Sequence, residues 1–358
     1  MGEALIIDTC RTPRGIGKAG KGALTHLHPQ HLGATVLRAL AERTGIDTSE
    51  VDDVIWGTSS QVCEQGGDLG RMSALDADYD IRASGVTLDR FCGSGITSAN
   101  IAASSVMSGM EDLVVSGGTE MMSLPKKGVL PMGANNPHLQ EIHPQSHQGV
   151  CADAIATLEG ISRQTLDQLA ELSQLRAQKA IEEGRFDNSL VTVSNLDGSV
   201  ALDREEFPRP GTTLESLSAL APSFPQIADY RHTEGSKTFR ELINQKYKDL
   251  DIEHVHHAGN SSGGGDGSAA ILWAHPEYAI WPYRRIRCGC RKRYRRLNRM
   301  RLRTPRSHAD PTRTRLCGRR RRPHRIPFRS RGRKVSQPRF LTGHNARSRP
   351  RCNRSNKG

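Results

Sequence analysis

The sequence predicts an α/β layered fold over its first 278 residues, followed by a basic tail without a core of its own. Three observations predict it. Short apolar runs of strand length alternate with helical patterns up to Gly118. A long stretch rich in Pro, Gly, Asn and His then intervenes before strand-like and apolar sequence returns at residues 254–272. Charge also divides at Tyr278: residues 1–278 hold 22 Lys+Arg and 37 Asp+Glu, whereas residues 279–358 hold 29 Lys+Arg and one acidic residue, Asp310. The overall net charge of +13 therefore belongs to the tail, and a high isoelectric point says nothing about the partners of the larger part.

Residues 4–8, ALIID, read as a buried strand. Residues 32–44 read as a helix with Leu32, Val36, Leu37 and Leu40 on one face and Gly45 at its C-terminus. A second strand is expected at 53–57, a small-residue helix at 94–108, and a third strand at 112–116 ending in Gly117-Gly118. Residues 121–250 read as a partly helical excursion. One of its helices starts from Ser162 as N-cap and runs to Gly184, and another covers residues 237–248. The domain organisation expected is a first α/β part at 1–120, a loop domain at 121–250, a return to the α/β domain at 251–278, and the tail at 279–358.

The tail has 26 Arg against 3 Lys and almost no aliphatic clusters, so it cannot bury a core and is expected to be disordered. Arg bias with scattered Cys, Pro and His is what an alternative reading frame of a GC-rich gene produces, and a frameshift near residue 279 is the expectation. Aromatics are sparse there (Trp281, Tyr283, Tyr294, Phe328, Phe340), so nucleic acid is expected to bind only non-specifically through the Arg-rich tail. Cys10, Cys63, Cys92 and Cys151 show no paired metal-ligand spacing and read as reduced intracellular thiols, with Cys10, Cys63 and Cys151 buried. Cys288-x-Cys290 lacks a second ligand pair, so no metal is expected. No apolar run has the length or flanks of a signal peptide or a membrane helix, and a cytoplasmic protein without membrane contact is expected.

One segment carries chemistry. Leu88-Asp89-Arg90-Phe91-Cys92-Gly93-Ser94-Gly95-Ile96 joins a β-prone run to a helix. A sharp turn there presents the sulfur to a pocket, the helix N-terminus favours the reactive thiolate, and Gly93 and Gly95 let the backbone approach a substrate closely. The plainer alternative is a buried structural cysteine, the commoner fate of a lone Cys.

The run R-F-C-G-S-G-I resembles the active-site motif of the thiolase family. Four further segments agree in order and spacing: Arg11-Thr12-Pro13-Arg14-Gly15, Gly117-Gly118-Thr119-Glu120-Met121-Met122-Ser123, Ile161-Ser162-Arg163-Gln164 with Ser173-Gln174, and Ala258-Gly259-Asn260-Ser261-Ser262 continuing to Asp266-Gly267. The His256-His257 version of the last segment, with Pro144-Gln145-Ser146 upstream, is most similar to the thiolases of fatty-acid oxidation. The resemblance implies the thiolase-like layered αβα fold, here its N-terminal half with a loop domain. It also implies acyl transfer between coenzyme A thioesters, with Cys92 as acyl-accepting nucleophile and acyl-CoA and CoA as substrates rather than cofactors. Ser262 matches a position that contacts the CoA pantetheine. Lys126, Lys127, Arg231 and Lys237 lie where CoA phosphates pass, although solvated surface charge is the blander account of each. His256 and His257 are expected to alternate across a strand, as structural histidines. A homo-oligomer is the family's habit. Three C-terminal motifs of the family, N-E-A-F, G-H-P and C-x-G, have no counterpart in residues 279–358; Gly343-His344-Asn345 lacks the proline. The resemblance then implies impaired turnover, because the activating His and the proton-moving second Cys belong to those motifs.

Overall fold

The computed structural model describes residues 2–124, 136–231 and 234–279. All belong to one compact unit, Met1–Gly289. Strand β1 (Leu5–Arg11) is followed by the short β2 (Gly15–Ile16), helix α1 (Pro29–Thr44), β3 (Asp53–Gly57), α2 (Leu69–Asp76), β4 (Val86–Leu88), α3 (Ser94–Ser108) and β5 (Leu113–Met121). Next come α4 (Pro137–Ile142), α5 (Gln148–Glu159), α6 (Arg163–Glu182), the two-stranded pair β6 (Val193–Ser194) and β7 (Val200–Leu202), and the short helices α7 (Leu214–Ser218), α8 (Pro225–Ala228) and α9 (Phe239–Asn244). Strand β8 (Gly265–Ala274) and α10 (Pro276–Ala279) close the described chain.

The main sheet runs β1-β8-β5-β3-β4, with β2 pairing β8 at one end. Strands β3, β4 and β5 are parallel, and β8 enters antiparallel between β5 and β1. Residue parity builds the three layers. Val54, Trp56, Leu113, Val115 and Leu272 face α1 and α2 in one cluster, while Ile55, Val114 and Trp273 face Ala102 and Val106 of α3 in another. Helix α1 is amphipathic as expected: Leu32, Val36, Leu37 and Leu40 are fully buried, Pro29 occupies its first turn, and Gly45 closes it in the left-handed region.

The chain between β5 and β8 leaves the sheet and builds its own small core from Val150, Ala154, Ala228, Phe239 and Ile252. Helix α6 starts where Ser162 caps it, its hydroxyl accepting from the Thr165 N–H. Five expectations are corrected. Strand β1 is an edge strand whose Leu5, Ile6 and Ile7 are exposed, not the buried strand expected at residues 4–8. Strand β5 continues through Gly117-Gly118 to Met121 because β8 pairs with it along its whole length. The helix expected at 237–248 is only Phe239–Asn244. Residues 254–257 are not a strand, since the Val255, His256 and His257 N–H groups go to side chains instead of a ladder. Cys63 is exposed at the start of a short 3-10 helix, Cys63–Gln65; Cys10 is buried and Cys151 is half-buried. Among the described residues, no helix is long and apolar enough to cross a membrane.

Candidate active site

Strands β3, β4 and β5 end at one edge of the sheet, where Gly57 lies in register between Leu88 and Gly118. Strand β8 is antiparallel to β5, so its start, with Asp266 opposite Met121, lies at the same edge. The carboxyl ends of parallel strands are where α/β sheets hold ligands. Cys92 follows β4 and Ser262 precedes β8, so both emerge at this edge. Three strand spacings separate their strands, about 14 Å.

The Cys92 turn is held by local hydrogen bonds. The Phe91 N–H donates to Asp89 Oδ1 at 2.7 Å, and Phe91 adopts φ 49°. A non-glycine residue there costs about 1 kcal/mol and persists only where its surroundings enforce it. Ser94 enforces it: its hydroxyl accepts from the Arg90 N–H at 2.9 Å and donates to the Phe91 carbonyl at 2.7 Å. The Gly93 and Ser94 N–H groups close back on the Arg90 and Phe91 carbonyls. Cys92 stands exposed at the tip, one residue before the Gly93 cap of α3, and no side chain caps that helix. With the Gly93 and Ser94 N–H groups taken up by the turn, the Gly95 and Ile96 N–H groups of the first helical turn are left to water or a ligand. Helix and sheet meet tightly here: a Cβ on Gly57 would lie 2.7 Å from the Ser94 carbonyl carbon.

The Gly-Asn-Ser-Ser segment is shaped from the excursion. Asp153 on α5 is fully buried and accepts four hydrogen bonds. They come from the Val255 and His256 N–H groups, from His256 Nδ1 at 2.7 Å, and from His254 Nδ1 at 2.6 Å. Asp167 on α6 takes His257 Nε2 at 2.7 Å, Asn260 Nδ2 at 2.9 Å and Arg163 Nε at 2.9 Å. Burial opposes ionisation of Asp167, but the bonds from His257, Arg163 and Asn260 outweigh it and hold the carboxyl below its usual range. The Gly259 N–H donates to His257 Nδ1, so the proton of His257 is on Nε2, facing Asp167. Both histidines are thus engaged by carboxylates, in a coil. Ser262 is exposed beyond them, and the next residue, Gly263, has no room for a Cβ against the Phe207 ring at 1.9 Å.

Of the expected CoA cations, Arg231 is ion-paired with Glu241 at 3.1 Å, and Lys237 is exposed. Lys126 and Lys127 lie outside the described residues, as do Cys288, Cys290 and residues 280–358 of the tail. Sequence reasoning missed Asp153 and Asp167, whose partners in residues 254–260 lie about a hundred positions away and leave no local signal. It also assigned no role to Glu120, although Glu120 stands inside a quoted motif.

Residues 4–228 match the family model of the thiolase N-terminal domain. Curated relatives include a 3-ketoacyl-CoA thiolase of Shewanella loihica, 35% identical over 237 residues, 63% of this chain and 58% of that protein. A steroid 3-ketoacyl-CoA thiolase of Mycobacterium tuberculosis is 36% identical over 234 residues, 62% of this chain and 56% of that protein. Among solved structures, the Bacillus anthracis acetyl-CoA acetyltransferase superposes with a TM-score of 0.62 at 28% identity, covering 78% of this chain and 67% of that one. The chain thus spans a little under three-fifths of the length of these two curated relatives. With the family model matched over most of the chain and the Cys92 and Ser262 segments at one edge of the expected layered sheet, the protein belongs to the thiolase family.

Proposed function

We propose that the protein is an acyl-CoA acyltransferase in which Cys92 accepts the acyl group, acting on 3-ketoacyl-CoA or acetyl-CoA in fatty-acid oxidation. The observation that carries this reading is the exposed Cys92 on a strained turn at an uncapped helix N-terminus. In the simplest step the Cys92 sulfur adds to the thioester carbonyl. The carbon–sulfur bond to CoA then breaks, and the thiol proton of Cys92 ends on the departing CoA sulfur. With a 3-ketoacyl-CoA the sulfur adds to the 3-keto carbon. The C2–C3 bond breaks, and acetyl-CoA leaves with the thiol proton on C2. Either addition places negative charge on oxygen, which the Cys92 N–H and the first turn of α3 are placed to receive. Ser262, at the same edge, contacts the pantetheine arm, with residues 121–250 acting as the loop domain beside it. No metal or other cofactor enters this reading.

Residues 1–358 carry no N-E-A-F, G-H-P or C-x-G motif, so the acyl group is loaded faster than it is released. A cytoplasmic setting belongs to this reading, resting on cysteines whose spacing in the sequence suggests neither a disulfide framework nor a metal site.

The test is acetyl-CoA incubation followed by peptide mass spectrometry, beside Cys92→Ala. Stoichiometric acetylation of Cys92, with thiolysis about 10²–10⁴-fold below that of an intact family member, is expected. An unmodified Cys92, or equal labelling in Cys92→Ala, rules the reading out. Binding without acetylation would make the chain an acyl-CoA holder instead.

A further inference from the structure

Glu120 is the penultimate residue of β5, paired with Gly267 of β8, and is half-buried. Among the described residues, every hydrogen bond to its carboxylate comes from one loop, the segment between β3 and α2. Its Oε2 accepts from the Ser59 N–H at 2.7 Å, the Ser59 hydroxyl at 2.7 Å and the Thr58 hydroxyl at 3.3 Å. Its Oε1 accepts from Gln65 Nε2 at 3.0 Å. Gln65, itself buried, returns to the same strand by accepting the Met121 N–H at 2.6 Å. Among the described residues no Lys or Arg forms an ion pair with Glu120. A carboxylate committed to four donors of one loop fixes that loop's position.

The same loop is the floor of the Cys92 turn. The Thr58 N–H donates to the Leu88 carbonyl at 3.2 Å, just before the turn begins. The Thr58 carbonyl lies 3.4 Å from Ser94 Oγ, the hydroxyl that enforces the left-handed Phe91. Gly57 abuts the Ser94 backbone. A shift of residues 58–60 therefore passes to Ser94, Phe91 and Cys92 with no mobile side chain between.

We propose that Glu120 is a positioning residue for Cys92, acting through residues 58–65. This rests on the reading of Cys92 as the nucleophile. Glu120→Gln keeps the size but turns an amide N–H₂ toward groups that are themselves donors, so the loop must move.

The experiment follows iodoacetamide alkylation of Cys92 and Cys151 in one sample of the full chain by peptide mass spectrometry. Cys151 is the internal reference. Glu120→Gln is expected to slow Cys92 about tenfold while Cys151 changes less than about twofold. Ser59→Ala, which removes one donor and nothing from Glu120 itself, is expected to move Cys92 the same way by a smaller factor. Unchanged Cys92 rates in both variants would overturn the proposal. So would parallel changes at Cys92 and Cys151, which mark a general loss of structure. Alkylation needs no acyl transfer, so a wild-type chain that never becomes acetylated would sink the functional reading while leaving this contrast readable.

Discussion

Four cysteines in one fold show how environment separates one thiol from another. Cys10 lies under α1 with its Sγ on the Val36 carbonyl, and burial pushes its thiol up to about 12, helped by Asp8 and opposed by Arg43. Half-burial pushes Cys151 up as well. Cys63 and Cys92 are exposed. In the native protein Cys63 and Cys92 should alkylate first, Cys151 later and Cys10 only on unfolding, as peptide mass spectrometry over a time course will show. Cys10 also sets a pH dependence. Its folded value is raised above the ordinary 9.0, so its contribution to stability is complete below pH 9 and is lost as pH rises from there towards 12. Denaturant titrations at pH 8 and pH 10 should differ by about 1 kcal/mol more in wild type than in Cys10→Ala.

At the scale of elements, the segment 254–260 matters most, because it has no ladder. Asp153 and Asp167 replace the sheet's hydrogen bonds with carboxylate oxygens, and that lets an irregular chain lie buried before β8 begins. Removing the acceptor strands four donors. Asp153→Ala is expected to destabilise by about 3 kcal/mol in denaturant titration and to admit limited proteolysis near residue 255, whereas Lys237→Ala, at an exposed position, should change stability by less than about 0.5 kcal/mol. The sequence showed this segment as strand because His, Val, His and His alternate plausibly. The buried carboxylates that overrule the pattern sit on helices α5 and α6.

The whole molecule presents an apolar surface where the sheet layers stop. On and around α3, Phe91 is 59% exposed, Ile96 72% and Met110 74%, and Ile6 on the edge strand β1 is 55% exposed. A helix buried on its sheet side through Ala102 and Val106, yet apolar on its outer side, has the pattern of an element with two packed faces. Ile96→Glu with Met110→Glu should therefore cost less than about 0.5 kcal/mol of stability. The pair should also lower binding of a hydrophobic dye and reduce self-association by light scattering. If the double variant unfolds, the outer face of α3 is not free as described.

Local chemistry determined what the sequence alone could state. The amphipathic stripe and Gly45 define α1, the apolar run DVIWG defines β3, the small residues after Gly93 define α3, and five ordered motifs point to the thiolase family. Each is an interaction within a few residues, so periodicity and capping reveal it. Only the tertiary structure decided that β8 slots antiparallel between β1 and β5, which carries β5 on through two glycines. It also decided that His256 and His257 answer to different carboxylates, and that Glu120 and the loop after β3 lie beneath Cys92. Those outcomes depend on contacts between residues some sixty to two hundred and seventy positions apart, and such partners leave no mark in the neighbourhood of either residue.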